Sequence, residues 1–277
     1  PAAPARAAAK PAVVRGAGAV AIEAGGSRYV FDPATGRIAS IDWAGVRVVT
    51  GSDLAVWRPP TDSECRPFAA RKVQQPWDTF LQGMPATARD FAVAETPDGI
   101  RISTTTDYRG DGGNSVQVDY VYHVDGDGRM RVQFKVRPNL PDVDALPEIG
   151  LEFAVGDAVR EFSWLGLGPG DSLPNRRASA LFGQWRLPVA DRDLARPRSG
   201  VERLDLGLSG EGSVRVDGLV GFRVVPGSSG GRRLRLFSHQ AGAWVKGGPP
   251  ERPQWRLDLA EGRVFEGAFE FSPPVRP

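Results

Sequence analysis

The chain has 277 residues, of which 41% are hydrophobic, and its 35 Lys and Arg residues nearly balance its 33 Asp and Glu residues. This length and composition predict a sizeable core, and no apolar run approaches the ~18 residues of a membrane span, so we expect no membrane role. The charges are interspersed, which disfavours a nucleic-acid partner, and a single cysteine, Cys65, excludes an internal disulfide and a thiolate metal cluster.

The first sixteen residues are rich in Ala and Pro, which predicts an extended linker before one domain over residues 17–277. The first residue is Pro1 and not Met, so the sequence also predicts a processed or excised fragment. Its compartment stays open between cytoplasm and periplasm, because a chain poor in cysteine suits either redox environment.

From Gly18 onward, short segments alternate apolar and polar residues and are separated by turns rich in Gly and Pro. The predicted strands include residues 19–23, 28–32, 38–42, 100–106, 116–124, 130–136, 149–155, 204–208, 221–225, 234–237, 255–259 and 265–271. No segment of helical length shows a 3.6-residue period. The pattern therefore predicts an all-β fold, a large antiparallel β-sandwich.

Two stretches interrupt the alternation, residues 58–89 and 176–200, and both are predicted to be long functional or interface loops. The first follows a strand and holds Asp62 and Glu64, which would share one face of an extended segment. Arg58 and Arg66 in the same setting would bind sugar hydroxyls or pin the loop as structural ion pairs, and the residues alone favour the structural interpretation.

Tryptophan rings suit the C–H faces of sugars. Trp57, Trp77 and Trp185 border the two loops and are candidates for sugar contacts. The other strand-like tryptophans, Trp43, Trp164, Trp244 and Trp255, are predicted to lie in the core.

Other motifs that could indicate a binding site are contradicted by the residues around them. Residues 125–129 look like a calcium loop, but the twelfth position is Val136 where a bidentate Glu is needed, so we predict a hairpin turn. Residues 166–170 are Gly-rich without a following helix, which argues against a dinucleotide site. His123 is predicted to be a packed strand residue and His239 to begin a turn. The arginines at 232, 233 and 235 are interpreted as part of a solvated surface of mixed charge.

The most informative stretch is residues 162–177, where a strand-like run ends in three glycines and two prolines before a pair of arginines. Residues 164–176 read Trp-Leu-Gly-Leu-Gly-Pro-Gly-Asp-Ser-Leu-Pro-Asn-Arg and resemble Trp-Tyr/Leu-Gly-x-Gly-Pro-x-Glu-x-Tyr-Pro-Asp-Arg, a signature of the small-chain domain of family 2 β-galactosidases. Residues 57–64 are similar to that family's Arg-Ala-Pro-Thr-Asp-Asn-Asp stretch. Residues 146–151, Leu-Pro-Glu-Ile-Gly-Leu, resemble its Leu-Pro-Arg-Ile-Gly-Leu, with Glu148 in place of the arginine.

This resemblance covers the chain from about Ala17 to Phe271. It implies a supersandwich of the galactose mutarotase-like fold, next to a separate catalytic (β/α)₈ barrel and other domains of a parent glycosidase that acts on a β-galactoside or related sugar. It implies no catalytic residue and no cofactor in this chain, with Mg²⁺ or Na⁺ in the catalytic domain. By position it places one set of residues near the substrate: Arg58, Asp62, Glu64, Cys65, Arg66, Trp77 and Trp185. It makes another set structural: Trp164, Gly166, Gly168, Pro169, Asp171, Pro174 and Arg176.

Two other hypotheses remain. One is an autonomous carbohydrate-binding module that uses Trp77 and Trp185. The other is a mutarotase-like enzyme, whose chemistry needs a histidine and a carboxylate as acid and base; the settings of His123 and His239 disfavour it.

Overall fold

A computed structural model describes residues 10–58, 83–141, 143, 145–210, 212–227, 230–242 and 257–274. Two large antiparallel sheets dominate these residues, and their inner faces share one hydrophobic core. The predicted all-β sandwich is confirmed. None of the helices in the described ranges is long and apolar enough to cross a membrane.

The first sheet has nine strands in the order β1-β2-β3-β4-β5-β12-β19-β18-β15. Their bounds are β1 (Ala12–Gly16), β2 (Ala19–Ala24), β3 (Ser27–Asp32), β4 (Arg37–Trp43), β5 (Val46–Ala55), β12 (Glu148–Val155), β15 (Arg198–Ser199), β18 (Gly221–Pro226) and β19 (Arg232–Gln240).

The second sheet has ten strands on the path β14-β13-β16-β17-β21-β10-β9-β8-β6, with β7 also paired to β8. Their bounds are β6 (Ala86–Ala88), β7 (Ala92–Thr96), β8 (Gly99–Arg109), β9 (Ser115–Asp125), β10 (Met130–Asn139), β13 (Val159–Gly168), β14 (Leu181–Pro188), β16 (Val201–Leu208), β17 (Ser213–Asp217) and β21 (Phe265–Ser272). The small strands β11 (Ala145–Leu146) and β20 (Leu257–Asp258) pair with each other, and 3₁₀ turns span Asp111–Gly113, Arg177–Ser179 and Arg192–Ala195.

The core follows from the two-residue period of the strands. In β9, alternate residues from Val116 to Val124 are buried, while the residues between them face outward. Aromatic rings join the two sheets, since Phe271 of β21 lies 5.3 Å from Phe153 of β12 and 6.3 Å from Trp43 of β4, measured between ring centroids. Trp43 and Trp164 are buried as predicted, whereas Trp244 and Trp255 lie outside the described residues.

Several local predictions can be compared with this architecture. The turn at residues 125–129 is a hairpin, in which the Asp125 carboxylate accepts hydrogen bonds from the backbone N–H groups of Asp127 and Arg129. The predicted linker ends in a strand, because residues 12–16 form β1 and pair with β2. The segment 176–200 is not one long loop, since it contains β14, which pairs with β13 along its whole length. His239 does not begin a turn but lies within β19.

Candidate functional site

A row of charged residues crosses four neighbouring strands of the nine-stranded sheet. The strand registers place Asp53 of β5 opposite Glu152 of β12, Glu152 opposite Arg235 of β19, and Arg235 opposite Arg223 of β18. We call these four residues the charged row.

The charged row lies on the face of the sheet that points away from the sandwich core. In β19, Arg233 and Arg235 alternate with Leu234 and Leu236, which are buried in the core. In β18, Arg223 lies between the core residues Phe222 and Val224. Because side chains of a strand alternate between the faces of a sheet, the arginines point to the outer face.

Glu148 bridges two arginines of the charged row. It is completely buried, and its Oε1 accepts hydrogen bonds from Arg223 Nη2 at 2.7 Å and from Arg235 Nη1 at 2.8 Å. Like charges directly opposite each other on neighbouring strands repel. The Glu148 carboxylate therefore lets Arg223 and Arg235 lie side by side.

Glu152 binds two arginines in the same way. Its Oε2 accepts from Arg235 Nε at 2.6 Å and its Oε1 from Arg233 Nη1 at 2.9 Å. Asp53, at the end of the row, forms an ion pair with Arg37 at 2.9 Å. Arg235 also donates to the backbone carbonyl of Trp57, and its guanidinium lies 5.6 Å from the centre of the Trp57 ring.

Burial and the neighbouring charges shift the pKa values of the two row arginines in opposite directions. Burial lowers the pKa of Arg223 to about 10, with Glu148 opposing the shift and Arg235 adding to it. Burial also lowers the pKa of Arg235, but Glu148 and Glu152 outweigh it, so the net pKa is raised. Both guanidinium groups remain charged at neutral pH.

A pocket of about 660 Å³ opens over the charged row. All four row residues line it, together with Arg233 and Trp57 and a rim of smaller residues: Leu54, Ala55, Gly83, Ala195, Val225, Pro226 and Gly227. A concave site of this size with a few convergent polar groups is typical of small-molecule binding.

Arg58 is the one candidate from the first predicted loop that the structure describes near this pocket. It is buried, and its charge lies close enough to Arg223 to lower the pKa of Arg223. The other candidates from that loop lie outside the described residues: Asp62, Glu64, Cys65, Arg66 and Trp77. Whether they line a sugar site stays a prediction.

The signature stretch builds a second site around Arg198, which is completely buried. Its guanidinium lies 4.6 Å from the centre of the Trp164 ring and 5.6 Å from that of Phe222. Its Nη atoms donate to the backbone carbonyls of Pro169, Asp193 and Arg196 at 2.8–3.0 Å. Burial lowers the pKa of Arg198 to about 10, and Arg196 adds to this while Asp193 opposes it.

The glycines of the signature allow close approach between strands. A Cβ atom on Gly166 would lie 2.6 Å from the carbonyl oxygen of Gly200, and one on Gly168 would lie 2.8 Å from the Trp185 ring. The Trp185 indole N–H donates to the Gly166 carbonyl at 3.1 Å, and the ring is half-buried on the edge strand β14. Trp185 thus lies on the ten-stranded sheet, whereas Arg58 follows the end of β5 in the nine-stranded sheet.

The remaining signature residues form the turn after β13. The Gly168–Pro169 peptide bond is cis, and Arg176 pairs with Asp171 at 3.3 Å. Pro174 follows the buried residues Ser172 and Leu173. Ser172 and Ser199 exchange hydrogen bonds, with Ser199 N–H donating to Ser172 Oγ at 2.9 Å. This turn fixes the approach of β13 to the segment that carries Arg198.

Sequence reasoning missed the charged row. The interpretation of Arg233 and Arg235 as solvated surface is wrong for Arg235, which is buried between Glu148 and Glu152. A signal was present at Glu148, which stands where the resembling motif carries arginine. Its meaning depends on Arg223 and Arg235, which are remote in sequence.

The two histidines also have packed settings. His123 Nε2 lies 3.3 Å from an Asp98 oxygen and 3.3 Å from Thr96 Oγ1. His239 Nδ1 lies 3.0 Å from Ser238 Oγ, and its ring packs edge-on against Phe265. Neither residue lines the pocket over the charged row. Among the described residues, no group of three or more His, Cys, Asp and Glu side chains could hold a metal ion.

Comparison with solved structures supports the fold. A galactose mutarotase-like protein from Lactobacillus casei superposes with a TM-score of 0.52 at 12% identity, covering 92% of this chain and 99% of that one. The galactose 1-epimerase of Lactobacillus acidophilus superposes with a TM-score of 0.53 at 9% identity, covering 95% of this chain and 98% of the other. The mutarotase-like fold implied by the resemblance is confirmed.

Sequence comparison identifies the family. The beta-galactosidase of Kluyveromyces lactis is 28% identical over 174 residues, which cover 60% of this chain and 16% of that protein. The beta-galactosidase of Klebsiella pneumoniae strain 342 is 32% identical over 157 residues, 49% of this chain and 15% of that protein. The chain thus corresponds to a small part of the length of these relatives. The profile of the family described as "Beta galactosidase small chain" matches residues 23–205, more than half of the chain, and the chain therefore belongs to this family.

Proposed function

We propose that this chain is the non-catalytic sandwich domain of a retaining family 2 β-galactosidase and that it completes the sugar-binding site beside a separate catalytic barrel. The observation that carries the proposal is the family match combined with coverage of only 16% and 15% of two relatives named beta-galactosidase. The remaining length of such a protein has room for the barrel and for any Mg²⁺ or Na⁺ that it binds.

The chemistry of the pocket supports a non-catalytic role. Retaining hydrolysis needs a nucleophilic carboxylate and a protonated carboxyl group about 5–5.5 Å apart. The two carboxylates that line the pocket, Asp53 and Glu152, are both in ion pairs with arginines. They act as charge partners for those arginines, so we place the acid and the nucleophile in another domain.

The proposed sugar-facing part is the segment that leaves β5. Arg58 is buried at its base, and we propose that Asp62, Glu64, Cys65, Arg66 and Trp77 line the rim of the sugar site in the assembled parent. Trp185 contacts the backbone of its own sheet through Gly166. A sugar contact of the Trp185 ring stays a prediction beside this supporting role in the signature turn.

Hydrolysis of a nitrophenyl β-galactoside tests this proposal. We expect no turnover by this chain alone and none by the rest of the parent protein alone, but turnover when the two are combined. Turnover by this chain alone that is lost in Asp53→Asn or Glu152→Gln would place the catalytic carboxylates here. Full activity of a parent that lacks this domain would also contradict the proposal.

A second candidate function is that of an autonomous carbohydrate-binding module. The pocket over the charged row favours it, because the pocket is formed by this chain alone. Titration of the isolated chain with galactose, followed by Trp fluorescence and calorimetry, distinguishes the two candidates. Saturable binding without the barrel supports the module, and no heat at high millimolar galactose contradicts it.

A further inference from the structure

We propose that the pocket over the charged row binds a saccharide that carries one carboxylate group, a hexuronate, and that Arg223, Arg233 and Arg235 hold that carboxylate. This inference does not rest on the proposed role beside a barrel, since binding to the chain alone tests it. It concerns a different chemical group from the neutral galactoside of the hydrolysis assay.

The charges around the pocket do not cancel. Asp53 is neutralised by Arg37. Among the described residues, the ion pairs at the pocket join three arginines, at positions 223, 233 and 235, to two carboxylates, Glu148 and Glu152. The buried Arg58 lies close enough to Arg223 to add to the positive potential there. Within this described ion-pair network the arginines exceed the carboxylates by one charge in a largely desolvated setting, where an unpaired charge is costly. A monoanionic ligand would balance it.

The guanidinium groups of Arg223 and Arg233 also carry more N–H donors than their described hydrogen bonds use. A guanidinium group carries five N–H donors in a planar fork that matches a carboxylate. Arg223 donates to Glu148 through Nη2, and its side chain also lines the pocket. Arg233 donates through Nη1 to Glu152, and about a third of its side chain remains exposed at the pocket. A carboxylate entering the pocket would meet fixed, charge-assisted donors.

The rest of the lining suits a sugar ring. Trp57, Leu54, Val225 and Pro226 supply apolar surface, which packs against the C–H groups of a pyranose. The Glu152 carboxylate lines the same space and can accept hydrogen bonds from hydroxyl groups. The volume of about 660 Å³ is within the range of small-ligand sites.

The size of the surplus charge favours a carboxylate over a phosphate. A phosphate monoester carries about −1.5 to −2 at neutral pH, which exceeds the one-charge excess of arginines over carboxylates in the described ion-pair network. It would also lie close to Glu152, which lines the pocket. A carboxylate carries one negative charge and matches the planar geometry of the guanidinium groups.

The first experiment is calorimetric titration of the full chain with galacturonate, galactose and inorganic phosphate at low salt. Galacturonate and galactose differ only at C6, so their comparison isolates the carboxylate. We expect galacturonate to bind at least about tenfold more tightly than galactose and than phosphate. Added sodium chloride should weaken galacturonate binding and leave galactose binding unchanged.

Two variants of adjacent arginines locate the site. Arg233→Gln should weaken galacturonate binding at least about tenfold, since it removes one charged donor from the pocket. Arg232→Gln is the matched control, because Arg232 donates a hydrogen bond to the Ala190 carbonyl and does not line the pocket. It should bind galacturonate like the unmodified chain. Thermal melting checks that both variants fold.

Four results would overturn the proposal. They are equal affinity for galacturonate and galactose, phosphate binding as tight as galacturonate binding, an equal loss in Arg232→Gln and Arg233→Gln, and no galacturonate binding at all. If binding were absent but appeared in Asp62→Asn or Glu64→Gln, a carboxylate of this chain would be the occupant, and the saccharide proposal would be wrong.

Discussion

The surroundings of Arg198 and of the charged row show two ways of burying arginine in one sandwich. Arg198 donates to three backbone carbonyls and lies over Trp164 and Phe222, with no carboxylate at ion-pair distance within the described part of the chain. Arg223 and Arg235 instead share the Glu148 carboxylate and line an open pocket.

The difference separates structure from candidate function. Arg198 is completely buried, so its guanidinium is closed off from any ligand in solvent. Arg223 and Arg235 of the charged row, together with Arg233, instead line a cavity that a ligand could enter. The signature that carries the family resemblance therefore surrounds the closed site, while the open site is built from ordinary alternating strands.

The largest effect is expected for Arg198→Ala. The substitution leaves three carbonyl oxygens and two ring faces without their partner, and we expect it to lower the free energy of unfolding by about 4 kcal/mol. Urea denaturation measures the loss. Arg198→Lys keeps the charge but not the planar stack, so it should recover part of the stability. A loss below about 1 kcal/mol in Arg198→Ala would show that the enclosure contributes little.

Glu148→Gln tests the charged row. Removing this buried charge leaves Arg223 directly opposite Arg235 without the carboxylate that bridges them, and we expect a loss of about 3 kcal/mol in the free energy of unfolding. Glu266→Gln is the control, because Glu266 pairs with Lys135 on the exposed surface, and it should leave the urea midpoint unchanged. Equal midpoints for the two variants would contradict the bridging role of Glu148.

Gly166→Ala and Gly170→Ala test the close approach at the signature. A Cβ at position 166 would lie 2.6 Å from the Gly200 carbonyl oxygen, while nothing lies within 4 Å of one at position 170. We expect Gly166→Ala to lower the free energy of unfolding by about 2 kcal/mol, because backbone atoms must shift. Gly170→Ala should be neutral or slightly stabilising. Thermal melting of both proteins measures the contrast, and equal melting temperatures would show that the strands yield at no cost.

The sequence predicts the sandwich well where strands have one face in the core. In β9, the alternation from Val116 to Val124 appears in the sequence and again in the burial pattern. The prediction of strands from alternation fails at β14, an edge strand on which Leu181 and Phe182 are exposed. Trp185 and Leu187 of this strand pack against the core, but the alternation is short, and pairing with β13 holds the whole strand extended.

The charged row was beyond local sequence patterns for a different reason. Its four members come from strands that begin at residues 46, 148, 221 and 232. Their alignment depends on strand register, including an irregularity between Ile149 and Gly150 in the pairing of β12 with β19. A shift of one residue would turn Arg235 toward the core. Alternation alone shows which residues share a face, but not which strands are neighbours.

The smallest effect concerns His239, which lies on β19 with Arg233 and Arg235. Burial, and then the charge of Arg263, lower the pKa of His239 below its ordinary value of 6.5. The folded chain therefore binds fewer protons than the unfolded chain just below pH 6.5, so this contribution to stability is complete above that pH and is lost as the pH falls toward the folded pKa. The arginines of β19 stay charged throughout this range.

Unfolding in urea at pH 5 and pH 7.5 measures the effect, and NMR titration of the His239 ring gives its pKa directly. We expect His239→Gln to lose less stability between the two pH values than the unmodified chain. A ring that titrates at or above pH 6.5, or a variant with the original pH dependence, would show that burial beside Phe265 and Arg263 does not destabilise the charged imidazole. In that case the packing of this end of β19 must be looser than the closed surroundings of Arg198.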